Sequence, residues 1–183
     1  MPMTVKLPRT IRLDSSDSFA FERAAEPGEW AVSGAFAFLN DAPEAVTGRR
    51  RQAFANGFLG VGTFGWSTLV TVATATEADV EGVVAALARH FVELYGAPDL
   101  LSARHAAVEE VRFAAGLCDK PINTLLAVER RFDDAGGIRE SFRVIEPKRE
   151  KDHARIWELV PDTGDDAAAG EGVDLIKLAG QGR

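Results

Sequence analysis

Thr76-Glu-Ala-Asp79-Val80-Glu-Gly82-Val83-Val84-Ala-Ala-Leu87-Ala-Arg-His90-Phe91-Val-Glu-Leu94-Tyr95-Gly96-Ala-Pro98-Asp99 sets the architecture of this 183-residue chain. Val80, Val83, Val84, Leu87, Phe91, Leu94 and Tyr95 recur at three- and four-residue spacing, the wide apolar stripe of a helix that packs on a core. Thr76 followed three residues later by Asp79 resembles a capping box. Gly82 costs about 1 kcal/mol against alanine in a helix. Each large apolar side chain buried contributes about 2 kcal/mol, so packing wins. Gly96 ends this helix and Asp99 caps a second, which presents Ala107, Val111, Ala114, Ala115 and Cys118. The short link predicts an antiparallel helical hairpin.

Downstream, Pro121 breaks the second helix. Leu126, Val128 and Phe132 alternate with Glu129 and Arg131, and Ile138, Phe142 and Val144 alternate with Arg139, Ser141 and Arg143. Asp133-Asp-Ala-Gly136-Gly137 joins the two runs, which predicts a β-hairpin with one solvated face. Beyond Pro147 the chain becomes charged and then rich in glycine, alanine and aspartate. It is interrupted by two apolar islands, Ile156-Trp157-Glu-Leu159-Val160 and Val173-Asp-Leu175-Ile176-Lys-Leu178.

Upstream, residues 10–14 read as a strand with Ile11 and Leu13 on one face. Phe19 and Phe21, then Trp30, Val32, Phe36 and Phe38, alternate with small or polar residues on either side of Glu26-Pro27-Gly28-Glu29. That pattern predicts a first hairpin around a type II turn. Residues 47–56 form a short helix ending near Gly57, and residues 66–74 read as one strand with Trp66, Val70 and Val72 on one face. The expected fold is α+β: a mainly antiparallel sheet with the helical hairpin packed on one face and a flexible C-terminal tail. Residues 1–147 form the domain and 148–183 a low-complexity tail with two short apolar docking segments.

The chemistry is sparse. Gly60-x-Gly62-x-x-Gly65 spells a dinucleotide fingerprint, but it follows a helix and leads into a strand. A phosphate-binding loop needs the reverse order, so the glycines predict a tight loop. His105 and Glu109 share a helix face four residues apart, as two metal ligands do, yet no motif supplies a third ligand, and an exposed pair is the simpler reading. Cys118 lies at the C-terminal end of a helix, the wrong end for a thiolate, and reads as core. Arg49-Arg50-Arg51 points in three directions on a helix and reads as solvated surface, Glu109-Glu110 as helix surface, and Asp133-Asp134 as turn. No catalytic, cofactor-binding or metal-ligating residue is therefore expected, and no cofactor.

A formal charge of -7 argues against nucleic acid as a partner. No apolar run reaches membrane-spanning length, no signal peptide is evident, and one cysteine excludes an internal disulfide. The expectation is a soluble cytoplasmic protein.

Leu7-Pro-Arg-Thr-Ile-Arg-Leu-Asp14, Gly28-Glu-Trp-Ala-Val-Ser-Gly-Ala-Phe-Ala-Phe38, Gly57-Phe-Leu-Gly60, Phe64-Gly-Trp-Ser-Thr-Leu-Val70 and Phe113-Ala-Ala-Gly-Leu-Cys-Asp119 resemble segments of a small family of uncharacterised proteobacterial proteins, over approximately residues 7–145. The resemblance implies a bacterial, cytoplasmic setting and carries no activity or functional residue. The first expectation for function is a non-catalytic accessory or adaptor protein that binds another protein, with Trp157, Leu159 and Val160 as candidate contacts. The alternative is a small enzyme or ligand-binding domain whose pocket lies between sheet and helices. It would use His105, Glu109 and Arg112 with aromatic walls from Phe36 or Trp66. A third is a homodimer formed through the terminal hairpin.

Overall fold

A computed structural model describes residues 4–146. The tail, with Trp157, Leu159 and Val160, lies outside the described residues.

The helical hairpin forms as its periodicity demands. Helix α3 spans Glu77–Leu94 and opens with a complete capping box: the Thr76 side chain accepts from the Asp79 N–H, and the Asp79 carboxylate accepts from the Thr76 N–H. Helix α4 spans Leu100–Leu117, with the Asp99 carboxylate accepting from the Ser102 N–H. Gly96 takes a φ of 69° in the link, a left-handed value that favours glycine. Val83, Val84, Leu87 and Phe91 of α3 and Ala103, Ala107, Val111 and Ala114 of α4 share one core with Leu7, Val32, Leu59 and Ala75 from the sheets.

The larger sheet has the order β1-β5-β6-β7, with β1 Val5–Ile11, β5 Leu69–Ala75, β6 Leu125–Phe132 and β7 Ile138–Ile145. Every pairing in it is antiparallel, from Val5 opposite Ala75 to Phe132 opposite Ile138. A smaller antiparallel sheet of β2 Ala31–Val32, β3 Phe58–Gly60 and β4 Trp66–Ser67 has the order β2-β3-β4. The fold is α+β, as the sequence predicts. Helix α2, Gly48–Asn56, and the β6–β7 hairpin fall where expected.

The N-terminal half differs in three ways. The first strand starts at Val5 and ends before Leu13, which is exposed. The predicted first hairpin does not form. Ser16–Ala20 is a short helix, α1, and Ala35–Phe38 is a turn of 3-10 helix. Gly34, at a φ of 84°, breaks the extended run ahead of Phe36. Only the turn survives as read, with Gly28 at a φ of 87° behind Pro27. The strand predicted at 66–74 is divided at Thr68 between the two sheets. The Asp17 carboxylate holds that switch, accepting from the Thr68 N–H at 3.2 Å and hydroxyl at 2.6 Å.

Candidate functional site

The glycine fingerprint does hold an anion, and the anion is the chain's own. One oxygen of the Glu29 carboxylate accepts from the N–H groups of Gly62, at 2.7 Å, and Thr63; the other accepts from the Thr63 hydroxyl at 2.9 Å and the Glu26 N–H at 2.6 Å. A Cβ on Gly62 would meet that carboxylate at 2.5 Å, and one on Gly65 would meet the Ala24 carbonyl at 2.5 Å. The glycines permit close approach, and the loop is an internal latch.

A second arrangement is open. Phe36 from the 3-10 turn, Phe91 and Tyr95 from the end of α3, and Ala103, Ala106 and Glu110 from α4 line a hollow of about 450 Å³, with Leu39 at its wall. Local sequence explains the shape. Ala103, Ala106 and Glu110 share one face of α4, and the two alanines leave the space that larger residues would fill. Phe36 packs edge-on against Phe91 at 4.8 Å and Tyr95 at 5.3 Å, so the aromatic wall is fixed. Burial pushes the Tyr95 phenol above its usual range.

Among the described residues Glu110 is the one carboxyl in that lining, and it is pushed up to about 7. Burial is the main cause and the neighbouring Glu140 adds to it, while Arg130 acts in the opposite direction. At neutral pH a substantial fraction of Glu110 is therefore protonated and presents an O–H donor. Behind it lies a buried polar network. The Arg130 guanidinium, 3% exposed, donates to the carbonyls of Gly57 at 2.7 Å and Phe54 at 3.0 Å, to the Ser33 carbonyl, and to Glu140 at 3.2 Å. Burial lowers the pKa of Arg130 while Glu140 raises it.

The residues singled out in the sequence are dispersed. His105 is exposed, and Glu109 and Arg112 form a solvated ion pair at 2.7 Å. None of the three lines the hollow. Phe36 does, whereas Trp66 packs against Phe38 at 5.2 Å. His90 is buried, its ring stacked on Phe64 at 3.7 Å, and burial lowers its pKa. Cys118 is core as expected, its thiol pushed up to about 11 by burial. Among the described residues Arg50 alone of the arginine triplet is engaged, paired with Asp41 and lying over the Phe38 ring. The Asp133 carboxylate closes its turn, accepting from the N–H groups of Ala135 and Gly137. Among the described residues no group of three or more His, Cys, Asp or Glu is placed to hold a metal.

Sequence reading missed Glu29, Glu110 and Arg130. Arg130 carried a signal: it falls in phase with Leu126, Val128 and Phe132, so the alternation puts a charge on the apolar face.

Among the described residues no helix is long and apolar enough to cross a membrane. No curated protein and no solved structure matches the chain. A family model matches residues 3–158, most of the sequence, and by that match the chain belongs to DUF6505, a family of unknown function.

Proposed function

We propose that this is a non-catalytic accessory protein that binds another protein, and that it does so by taking an apolar side chain of its partner into the hollow. One observation carries the reading: an open, largely apolar hollow walled by Phe36, Phe91 and Tyr95, with Leu39 beside it 68% exposed. Leu94, Leu100 and Leu101, at the same end of the helical hairpin, are also exposed. Apolar surface gathered in this way costs free energy until it is covered, and each leucine-sized group buried would contribute about 2 kcal/mol. A cytoplasmic setting suits this role.

The test is a photo-reactive benzoylphenylalanine placed at Leu39, irradiated in lysate of the native cell. The expected result is one dominant cross-linked protein, lost when Ala106→Trp fills the hollow. No product, or a product indifferent to Ala106→Trp, refutes the reading. Glu110 favours a second reading, a small-ligand pocket in which a protonated carboxyl donates to the ligand. Tyr95 is the single tyrosine of the chain, so fluorotyrosine labelling gives one resonance at the wall of the hollow. A shift of that resonance on adding the small-molecule fraction of the lysate would select the ligand reading.

A further inference from the structure

The outward face of the β6–β7 hairpin breaks a rule that the rest of the fold keeps. Arg131 of β6 lies directly opposite Arg139 of β7, and Arg143 follows on the same face two pleats further along. Like charges directly opposite each other in a sheet are destabilising. Asp133 reaches Arg139 at 3.5 Å, but among the described residues Arg131 and Arg143 have no ion-pair partner. Glu129 is the only acid on that face of the two strands and Asp133 lies at its turn end, so three arginines meet two acids and the patch stays positive on a chain whose net charge is -7. Arg131 and Arg139 flank a hollow of about 500 Å³ that Glu129, Glu140 and Ser141 also line. Among the described residues β7 is also an edge strand of eight residues, paired on one side only.

We propose that this edge is a second interaction surface, which receives an extended acidic segment of another protein as a fifth strand, independent of the hollow on α3 and α4. Main-chain bonds to the open edge of β7 supply affinity, and acidic side chains at every second position meet Arg139 and Arg143. Charge selects this occupant. A second copy paired antiparallel about Ser141 would set Arg139 against the partner's Arg143 at both ends of the contact, adding repulsion where an acidic strand adds attraction. Arginines on an edge also deter non-specific strand pairing, and that role alone predicts no preference for alternating carboxylates.

The experiment uses the full chain and a fluorescent peptide as long as β7, eight residues, alternating glutamate and valine. Its control has the same composition with the four glutamates in one block. Fluorescence anisotropy should show saturable binding of the alternating peptide, weakened at least about fivefold for the blocked one. The double variant Arg139→Glu/Arg143→Glu should weaken it about tenfold more. These side chains are exposed, so circular dichroism should show the variant folded. Slowed amide exchange along β7 on binding would place the peptide at the edge. The proposal fails if both peptides bind equally, if neither binds, or if a thymidine oligonucleotide binds more tightly than the alternating peptide.

Discussion

Arg130→Met removes the cation from the buried network while keeping an unbranched apolar stem in its place. The guanidinium closes the end of α2, donating to the carbonyls of Phe54 at 3.0 Å and of the capping Gly57 at 2.7 Å, and it also donates to the Ser33 carbonyl. Without it those carbonyls lose a charged donor, each at a cost of about 1–3 kcal/mol when no water replaces it. Glu140 loses its cation as well. Methionine recovers part of this through apolar contact, and breaking one side of a buried ion pair costs about 3–5 kcal/mol in total. With a urea m-value of about 2 kcal/mol/M, the unfolding midpoint, followed through Trp30 and Trp66 fluorescence, should fall by about 2 M. Adding Glu140→Gln should return about 1–2 kcal/mol by removing the stranded carboxylate. A loss below about 1 kcal/mol for Arg130→Met, or a double variant no more stable than the single, would refute this account of the network.

Glu110→Gln should change the pH dependence of stability. Because the carboxyl is pushed up to about 7 from an ordinary 4.5, the folded chain holds a proton between those values that the unfolded chain has released, so stability falls as pH rises through that window. The glutamine variant should lose about 1–3 kcal/mol of that slope in urea midpoints measured at several pH values; an unaltered slope would mean that Glu110 titrates normally. His90, whose pKa is lowered by burial, acts in the opposite sense, favouring the folded chain as pH rises through the ordinary histidine range, and it is common to both proteins. Two glycines should diverge in thermal melts. Gly82→Ala, with nothing within 4 Å of the new Cβ, should stabilise α3 by about 0.5–1 kcal/mol. Gly65→Ala, 2.5 Å from the Ala24 backbone, should destabilise by about 2 kcal/mol or more, and the idea of a close-packed loop fails if it is neutral.

The elements legible in the sequence were those with a long, uninterrupted period. Helices α3 and α4 and the β6–β7 hairpin carry their own caps and turns, so local chemistry and packing agree. The run from Trp30 to Phe38 misled because its aromatic alternation has a second solution. In a 3-10 turn, residues two apart point about 120° from one another. Phe36 therefore goes to Phe91 while Phe38 goes to Phe54, serving two cores rather than one sheet face. Glu110 was illegible for a related reason. It sits beside Glu109 on a helix, and only the fold shows that one carboxylate faces solvent and the other the hollow.

The position of β1 has a consequence for synthesis. It is the first strand made, yet its only ladder partner among the described residues is β5, between residues 69 and 75. All three strands of the smaller sheet are translated before that partner exists. The second neighbour of β5 comes later still, after both helices of the hairpin. A nascent chain thus carries β1 without a ladder partner until β5 is made, and the larger sheet then grows from the β1–β5 pair towards β6 and β7. A ribosome pausing before Leu69 would hold this protein in its most adhesive state, and one pausing after Leu117 would hold it with β1 and β5 already free to join.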